Sequence, residues 1–373
     1  MIVNNKEKFS GILFIVFGLV VLAGFVMILI LSFSYNVKTS EFVEGDSLAV
    51  EKKLSDKDYL NSLVNNKDKK IKIAFFGDVM IDRNVKNKID KNSFNYLFAK
   101  VASSSKWQDV LESDAIVANL EGAVTDKGAH YKPDMSYDFA FAPERIEELR
   151  DYGFDTFNIA NNHLADQGES GIIETSKNLD ELGIFYFGCH DRQVGECSIK
   201  TKEINGRKIG WAGFSMVYGK LDEELAIDKI KHLASSTDLV IVNMHWGVEY
   251  EHHFNKAQQT LAHKLIDAGA DIIIGHHPHV VQGMEIYKKR PIFYSLGNFI
   301  FDQYFSLDTQ QGLGVLLEIN DDNFDIILLP IKSKASQISW MDQKEKDIFL
   351  EEVVSWSLLQ AEDVDQILSN AQR

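Results

Sequence analysis

The chain has 373 residues, enough for one large domain or two ordinary ones, with 45% hydrophobic and 25% charged residues, the balance of a folded protein with a real core. Its 55 acidic against 39 basic residues leave a formal net charge of −16, which argues against a general nucleic-acid binder, since those carry a basic footprint. Two cysteines, Cys189 and Cys197, exclude a disulfide framework and a four-thiolate zinc site, and leave open one bridge or two free thiols.

The first element is an apolar run. No charge falls between Phe9 and Val37, and residues 11–33 are almost wholly apolar. As a helix rising ~1.5 Å per residue, that run reaches about 34 Å, enough for a bilayer core of roughly 30 Å. A cleaved signal peptide has a shorter apolar region, and no A-x-A site follows. Lys6 and Lys8 precede the run and Glu41, Glu44 and Asp46 follow it. The expectation is a signal anchor with residues 1–10 in the cytoplasm and the remainder outside the cell membrane. Residues 34–68, rich in Ser, Asn, Lys, Asp and Glu, read as a tether.

A buried strand is predicted at Ile71-Lys72-Ile73-Ala74-Phe75-Phe76, followed by similar runs at Ala115–Ala118, Thr156–Ala160, Leu239–Val242, Ile272–Ile274 and Ile292–Tyr294. Helical patterns lie between them at Pro143–Tyr152, Gly171–Leu182 and Lys256–Ala268, and Gly312–Ile331 reads as a hairpin. Alternating strands and helices predict an α/β domain over residues 69–335 with largely parallel sheets. Residues 336–373 read as a helical tail whose apolar content lies mostly in Ile348, Leu350, Val353, Val354, Trp356, Leu358 and Leu359, to be packed on a partner or, the expectation taken, on that domain.

Polar residues gather where the buried strands end, the edge at which open α/β sheets bind ligands. Asp78 follows the first strand, Asn119-Leu120-Glu121 the second and Asn161-Asn162-His163 the third. His245 to Glu249 follows the fourth and His276-His277-Pro278-His279 the fifth. Singly, each has a bland explanation: a helix cap, a left-handed turn, a satisfied core histidine. Five strand ends converging on one sheet edge do not. In extended backbone His277 and His279 share a side and His276 faces away. Oxygen and nitrogen donors without thiolate suit one or two divalent ions such as Mn, Zn or Fe. Asp302 reads as an ordinary loop residue. Around Gly213 and Gly219 the chain matches neither a P-loop nor a nucleophile elbow.

These residues carry a resemblance. Gly77-Asp78-Val79-Met80, Asn119-Leu120-Glu121, Asn161-Asn162-His163, His245-Trp246-Gly247, Gly275-His276-His277-Pro278-His279-Val280 and Ser295-Leu296-Gly297-Asn298-Phe299 resemble, in order and spacing, the motifs of the CapA (PgsA) family of capsule and poly-γ-glutamate synthesis proteins. That family is related to calcineurin-like metallophosphoesterases, which implies a four-layer α/β/β/α sandwich with a two-metal centre. The resemblance implies Asp78, Glu121, Asn162, His245, His277 and His279 as metal ligands and His163 as the neighbouring acid. Met80 departs from it, standing where many phosphoesterases have a ligand histidine, and Asn119-Leu120-Glu121 replaces the usual Gly-Asp.

The resemblance further implies an extracytoplasmic role on an anionic polymer, poly-γ-glutamate or a related capsule, beside membrane synthase subunits. Two other readings stand next to it: a general metal-dependent phosphoesterase, and a non-catalytic polymer-binding subunit. Arg83, Lys86, Lys132 and Arg145 lie near the motif loops as candidate polymer contacts.

Overall fold

The computed structural model describes residues 70–132, 135–320 and 323–371. The expected anchor at 11–33 and tether at 34–68 lie outside the described residues. Among the described residues no helix is long and apolar enough to cross a membrane.

The central strand, β1 (Ile71–Val79), pairs in parallel with β2 (Ala115–Leu120) and antiparallel with β14 (Gln311–Asn320). Beyond β2 lie β5 (Thr156–Asn158) and β6 (Phe185–Phe187), both parallel. Beyond β14 lie β15 (Asn323–Lys334) and β16 (Gln337–Trp340), both antiparallel, and the short β13 (Asn298–Ile300) joins the end of β1. A second sheet holds β7 (Ile199–Ile204), β8 (Arg207–Ser215), β9 (Leu239–His245), β10 (Ile272–His276), β12 (Arg290–Phe293) and β11 (Met284–Tyr287) in that spatial order. Its four central strands run parallel, and β3 (Ala123–Val124) and β4 (Ala140–Phe141) form a separate two-stranded parallel pair.

The period-two alternation of strands explains how the sheets stack. Ile71, Ile73 and Phe75 of β1 share one core with Ile209 and Trp211 of β8, Ile241 of β9, and Ile272 and Ile274 of β10, so the sheets pack face to face. The alternate residues Ala74 and Phe76 face a helical layer. It consists of α1 (Arg83–Asn92), α2 (Asn95–Phe98), α3 (Ser105–Leu111), α4 (Pro143–Arg150) and α5 (Gly168–Glu181), which bury Val85, Phe98, Trp107, Ile146 and Leu179. On the far side, Val240, Val242 and Met244 of β9 meet Ile230 of α6 (Glu223–Ala234) and Leu265 of α7 (Lys256–Asp267). Strands covered on both faces need apolar residues at every position, hence the unbroken runs in the sequence.

Two expectations change. The polar strand ends belong to two sheets rather than one, because β1, β2 and β5 pair with each other and β9 with β10. The domain does not stop at residue 335. Residues 337–340 form β16, and Phe349, Leu350 and Val353 of α8 (Gln343–Ser355) and Ile367 of α9 (Ala361–Ala371) join the core between the sheets.

Gly77 marks where the chain closes over the end of β1. A Cβ there would sit 1.8 Å from the Gly297 carbonyl oxygen, which accepts the Asp78 amide at 3.0 Å. Gly77→Ala should therefore destabilise the domain by about 1–3 kcal/mol or more, the usual cost of forcing atoms into a packed interior. The urea midpoint measures it, and an unchanged midpoint would contradict this close approach.

Candidate metal centre

Strand register sets the site. Asp78 lies opposite Asn119 and Asn298, Asn119 opposite Asn158, and His245 opposite His276. Asp78, Glu121 and His245 are fully buried. A buried polar group needs a partner, and Asn119 supplies several. Its Nδ2 donates to Asp78 Oδ1 at 2.8 Å and lies 3.3 Å from His245 Nδ1, while its Oδ1 accepts from Asn158 Nδ2 at 2.9 Å.

All seven residues singled out in the sequence come together. One ligand atom from each of Asp78, Glu121 and His245 lies within 4.8 Å of the others. Asn162 Oδ1 is 2.7 Å from His245 Nε2. A second triad at the same spacing joins His277 and His279 to Glu249, which the sequence reading left without a role. His279 Nε2 is 3.7 Å from Glu121 Oε1, and His163 Nε2 is also 3.7 Å from that oxygen. His163 Nδ1 meets Asp166 Oδ2 at 2.7 Å, and its ring packs on Phe139.

The histidine run is not extended throughout. His277 and His279 have φ of 99° and 59°, so the chain leaves strand geometry after His276. His276 therefore does not face away from the site: its Nδ1 lies 3.5 Å from Asp78 Oδ1. Met80 adds no ligand, since its sulfur accepts the Asp82 amide at 3.1 Å. Asp302 is not an idle loop residue but is buried in an ion pair with Arg83, whose guanidinium sits 4.8 Å from the Phe139 ring centre. Lys86 pairs with Asp90, and Arg145 with Asp90 and Glu148, so these two expected polymer contacts are engaged within the helical layer.

Two acids this close cannot both ionise freely without a compensating cation. Burial pushes the Asp78 carboxyl up, but the His276 and His279 rings beside it outweigh that and hold the group well below the usual range. Burial and the Asp78 charge hold Glu121 well above it. Burial and the neighbouring His277 push His245 far down, and burial with His279 pushes His277 down to about 3. Burial opposes charge on His279 as well, yet Glu121 and Asp78 raise it to about 9. Asp78, Glu121 and His279 thus titrate as one unit that retains protons at neutral pH, while His245 and His277 are neutral imidazoles ready to coordinate.

Glu121 Oε1 and His277 Nδ1 are buried with no hydrogen-bond partner among the described residues. Each such atom ordinarily costs about 1–3 kcal/mol. A cation among these donors relieves that cost, so the residues present fit one or two divalent ions. Over them opens a cleft of about 490 Å³ with Tyr137, Tyr218, Tyr250 and Phe305 on its walls, all of them exposed.

Ion binding must displace the protons held by this unit. Because His279 stands above its ordinary value, its proton is bound through neutral pH and lost as pH rises through about 9. Affinity for Mn²⁺ or Zn²⁺ should accordingly climb from pH 6 to 9, with proton uptake by buffers of differing ionisation enthalpy visible in calorimetry. Affinity independent of pH over that range would contradict the electrostatics. His277→Ala or His279→Ala should lower bound metal well below His232→Ala or His263→Ala; equal loss in all four would place the ion elsewhere.

A family model described as bacterial capsule synthesis protein PGA_cap matches residues 72–303. "Capsule biosynthesis protein CapA" of Bacillus anthracis is 33% identical over 258 residues, covering 64% of this chain and 62% of the relative. "PGA biosynthesis protein CapA" of Bacillus subtilis (strain 168) is 34% identical over 254 residues, covering 63% and 64%. The match thus spans less than two thirds of either relative. A crystal structure of a novel phosphatase from Mycoplasma pneumoniae aligns with a TM-score of 0.46 at 16% identity, over 70% of this chain and 94% of that one, a similarity too distant to bear on function. With the family model covering more than half of its length, the chain belongs to the bacterial capsule synthesis protein PGA_cap family, alongside the CapA proteins.

Proposed function

We propose that this protein is a membrane-anchored, extracytoplasmic metal-dependent hydrolase of calcineurin-like architecture that acts on an anionic capsule polymer, poly-γ-glutamate or a related chain. The observation that carries the reading is the pair of acid and imidazole triads at the ends of two sheets, with a further histidine and carboxylate beside them. The role in polymer synthesis rests on the family and on the printed descriptions of the relatives. The anchor rests on the charge-free run between Phe9 and Val37.

Asp78, Glu121, Asn162, His245, His277 and His279, with Glu249, would hold the ions. Divalent ions at such a site polarise the scissile group and lower the pKa of water. The protein's own residues do the rest. Asp166 Oδ2 accepts from His163 Nδ1, which leaves Nε2 turned to Glu121 and the cleft. From there Nε2 can deliver a proton to a leaving oxygen or nitrogen, as general acid catalysis requires. Burial holds the Asp166 carboxyl above the usual carboxylate range, although the hydrogen bond and charge of His163 oppose it. Aromatic walls let a repeating chain lie across the cleft while one linkage reaches the floor. A phosphoester and a γ-glutamyl amide both meet these requirements.

His163→Ala should retain metal yet lower turnover about 10²–10⁴-fold, the usual contribution of a general acid. Purified protein assayed on a phosphodiester and on poly-γ-glutamate, with bound metal quantified, measures both. Undiminished turnover would contradict a catalytic His163, whereas normal polymer yield with only metal-ligand variants failing would favour a binding subunit. Protease added to intact spheroplasts should digest the domain; protection would reverse the proposed orientation.

A further inference from the structure

A loop outside the two triads reaches one of the candidate ligands. Between β6 and β7 the chain turns through residues 188–198, closed by the Cys189–Cys197 disulfide, with Cα atoms 5.3 Å apart, and by the Gly188 amide bonding the Cys197 carbonyl at 2.8 Å. Inside this loop the Asp191 carboxylate is buried and turned towards the end of β8. It accepts from Ser215 Oγ at 2.6 Å, from the Val217 amide at 2.8 Å and from the Tyr218 amide at 3.0 Å. The Arg192 amide adds a bond to the Ser215 carbonyl at 2.9 Å. A buried carboxylate filled by three donors fixes the backbone of residues 215–218 as firmly as a helix cap fixes a first turn.

The fixed segment presents Tyr218. The residue is 68% exposed on the cleft wall, so it contributes little to the core. Its hydroxyl instead accepts from Asn162 Nδ2 at 3.2 Å, while Asn162 Oδ1 faces His245 Nε2 at 2.7 Å. An amide has a donor end and an acceptor end of nearly equal size, so its orientation depends on the partners of each. With Nδ2 bonded to a phenol oxygen, Oδ1 is left pointing among the candidate ligands. Turned about, the amide would aim N–H groups at an imidazole nitrogen and at any cation.

We propose that Tyr218 is a positioning residue of the metal centre, held in place by Asp191 within the disulfide-closed loop and acting by orienting the Asn162 amide. The inference rests on the metal-centre reading above and goes beyond it, since neither Tyr218 nor Asp191 is itself a ligand. Partners that orient a metal ligand commonly change affinity about 10–100-fold when removed. The phenol accepts with one lone pair and keeps its own O–H for a ligand in the cleft, so the same group sits at the boundary between metal and substrate.

The test uses the 373-residue chain and Co²⁺ alone, whose visible absorption reports its ligands. Tyr218→Phe removes one oxygen from an exposed ring and should leave the melting temperature of the metal-free protein unchanged. It should weaken Co²⁺ binding about 10-fold and shift the absorption bands. Asp191→Asn, which replaces one accepting oxygen by a donor, should weaken binding in the same direction. Tyr137→Phe, on the same cleft wall, should bind as wild type does. Wild-type affinity and spectrum in Tyr218→Phe would overturn the inference while leaving the metal centre intact. A wild-type protein that takes up no Co²⁺ would overturn the metal centre and this inference together.

Discussion

The structure is organised around two carboxylates, Asp78 and Glu121, buried without access to water in the same small space. Leaving such charges uncompensated costs several kcal/mol each, so a stable fold must surround them with donors or positive charge. Asn119 meets part of that demand by donating to Asp78, and His276 and His279 meet more of it through their rings. Unmet among the described residues are one oxygen of Glu121 and one nitrogen each of His276 and His277, which have no hydrogen-bond partner. A fold that keeps such atoms buried sacrifices stability for a site, and a cation is the species their chemistry suits.

The scaffold explains why the demand arises where it does. Each sheet alone would place only part of the donor set at its edge. Packing the two sheets face to face through Phe75, Trp211 and Ile274 brings Asp78 and Glu121 of one against His245, His277 and His279 of the other. Tight glycine contacts at Gly77 and Gly275, whose added Cβ atoms would meet backbone oxygens below 2 Å, draw the connecting loops over the strand ends. Outside the strand ends the chemistry draws on His163 and Asp166, in the loop before α5, and on the Arg83–Asp302 pair at the rim. The family relation and this geometry together support the proposed role in capsule polymer metabolism.

Much of this was legible in the sequence because buried parallel strands leave continuous apolar runs and end where polar residues begin. Asp78, Glu121, His245 and the His277–His279 pair each stand at such an end. Glu249 was harder to read, since it is exposed and four residues beyond its strand, where only the turn at Gly247, with φ of 95°, returns it to the site. His276 was misread because its exclusion assumed extended backbone, whereas His277 and His279 take positive φ, a conformation uncommon for any residue but glycine. Asp191 and Tyr218 carry no motif at all; their roles come from a long-range contact between a disulfide loop and the end of β8. The pairing of Cys189 with Cys197, which counting alone left open, follows from the loop that brings them together. The C-terminal boundary was missed because four residues of strand are too short for a periodic signal.

The most direct test of the account is anomalous X-ray scattering from crystals of the protein grown with Mn²⁺ or Zn²⁺ and measured on either side of the absorption edge of the ion used. The account predicts one or two peaks enclosed by Asp78, Glu121, His245, His277 and His279, with Asn162 Oδ1 turned towards them. Loaded crystals with no peak among these residues, or with ions bound only at the surface, would contradict it.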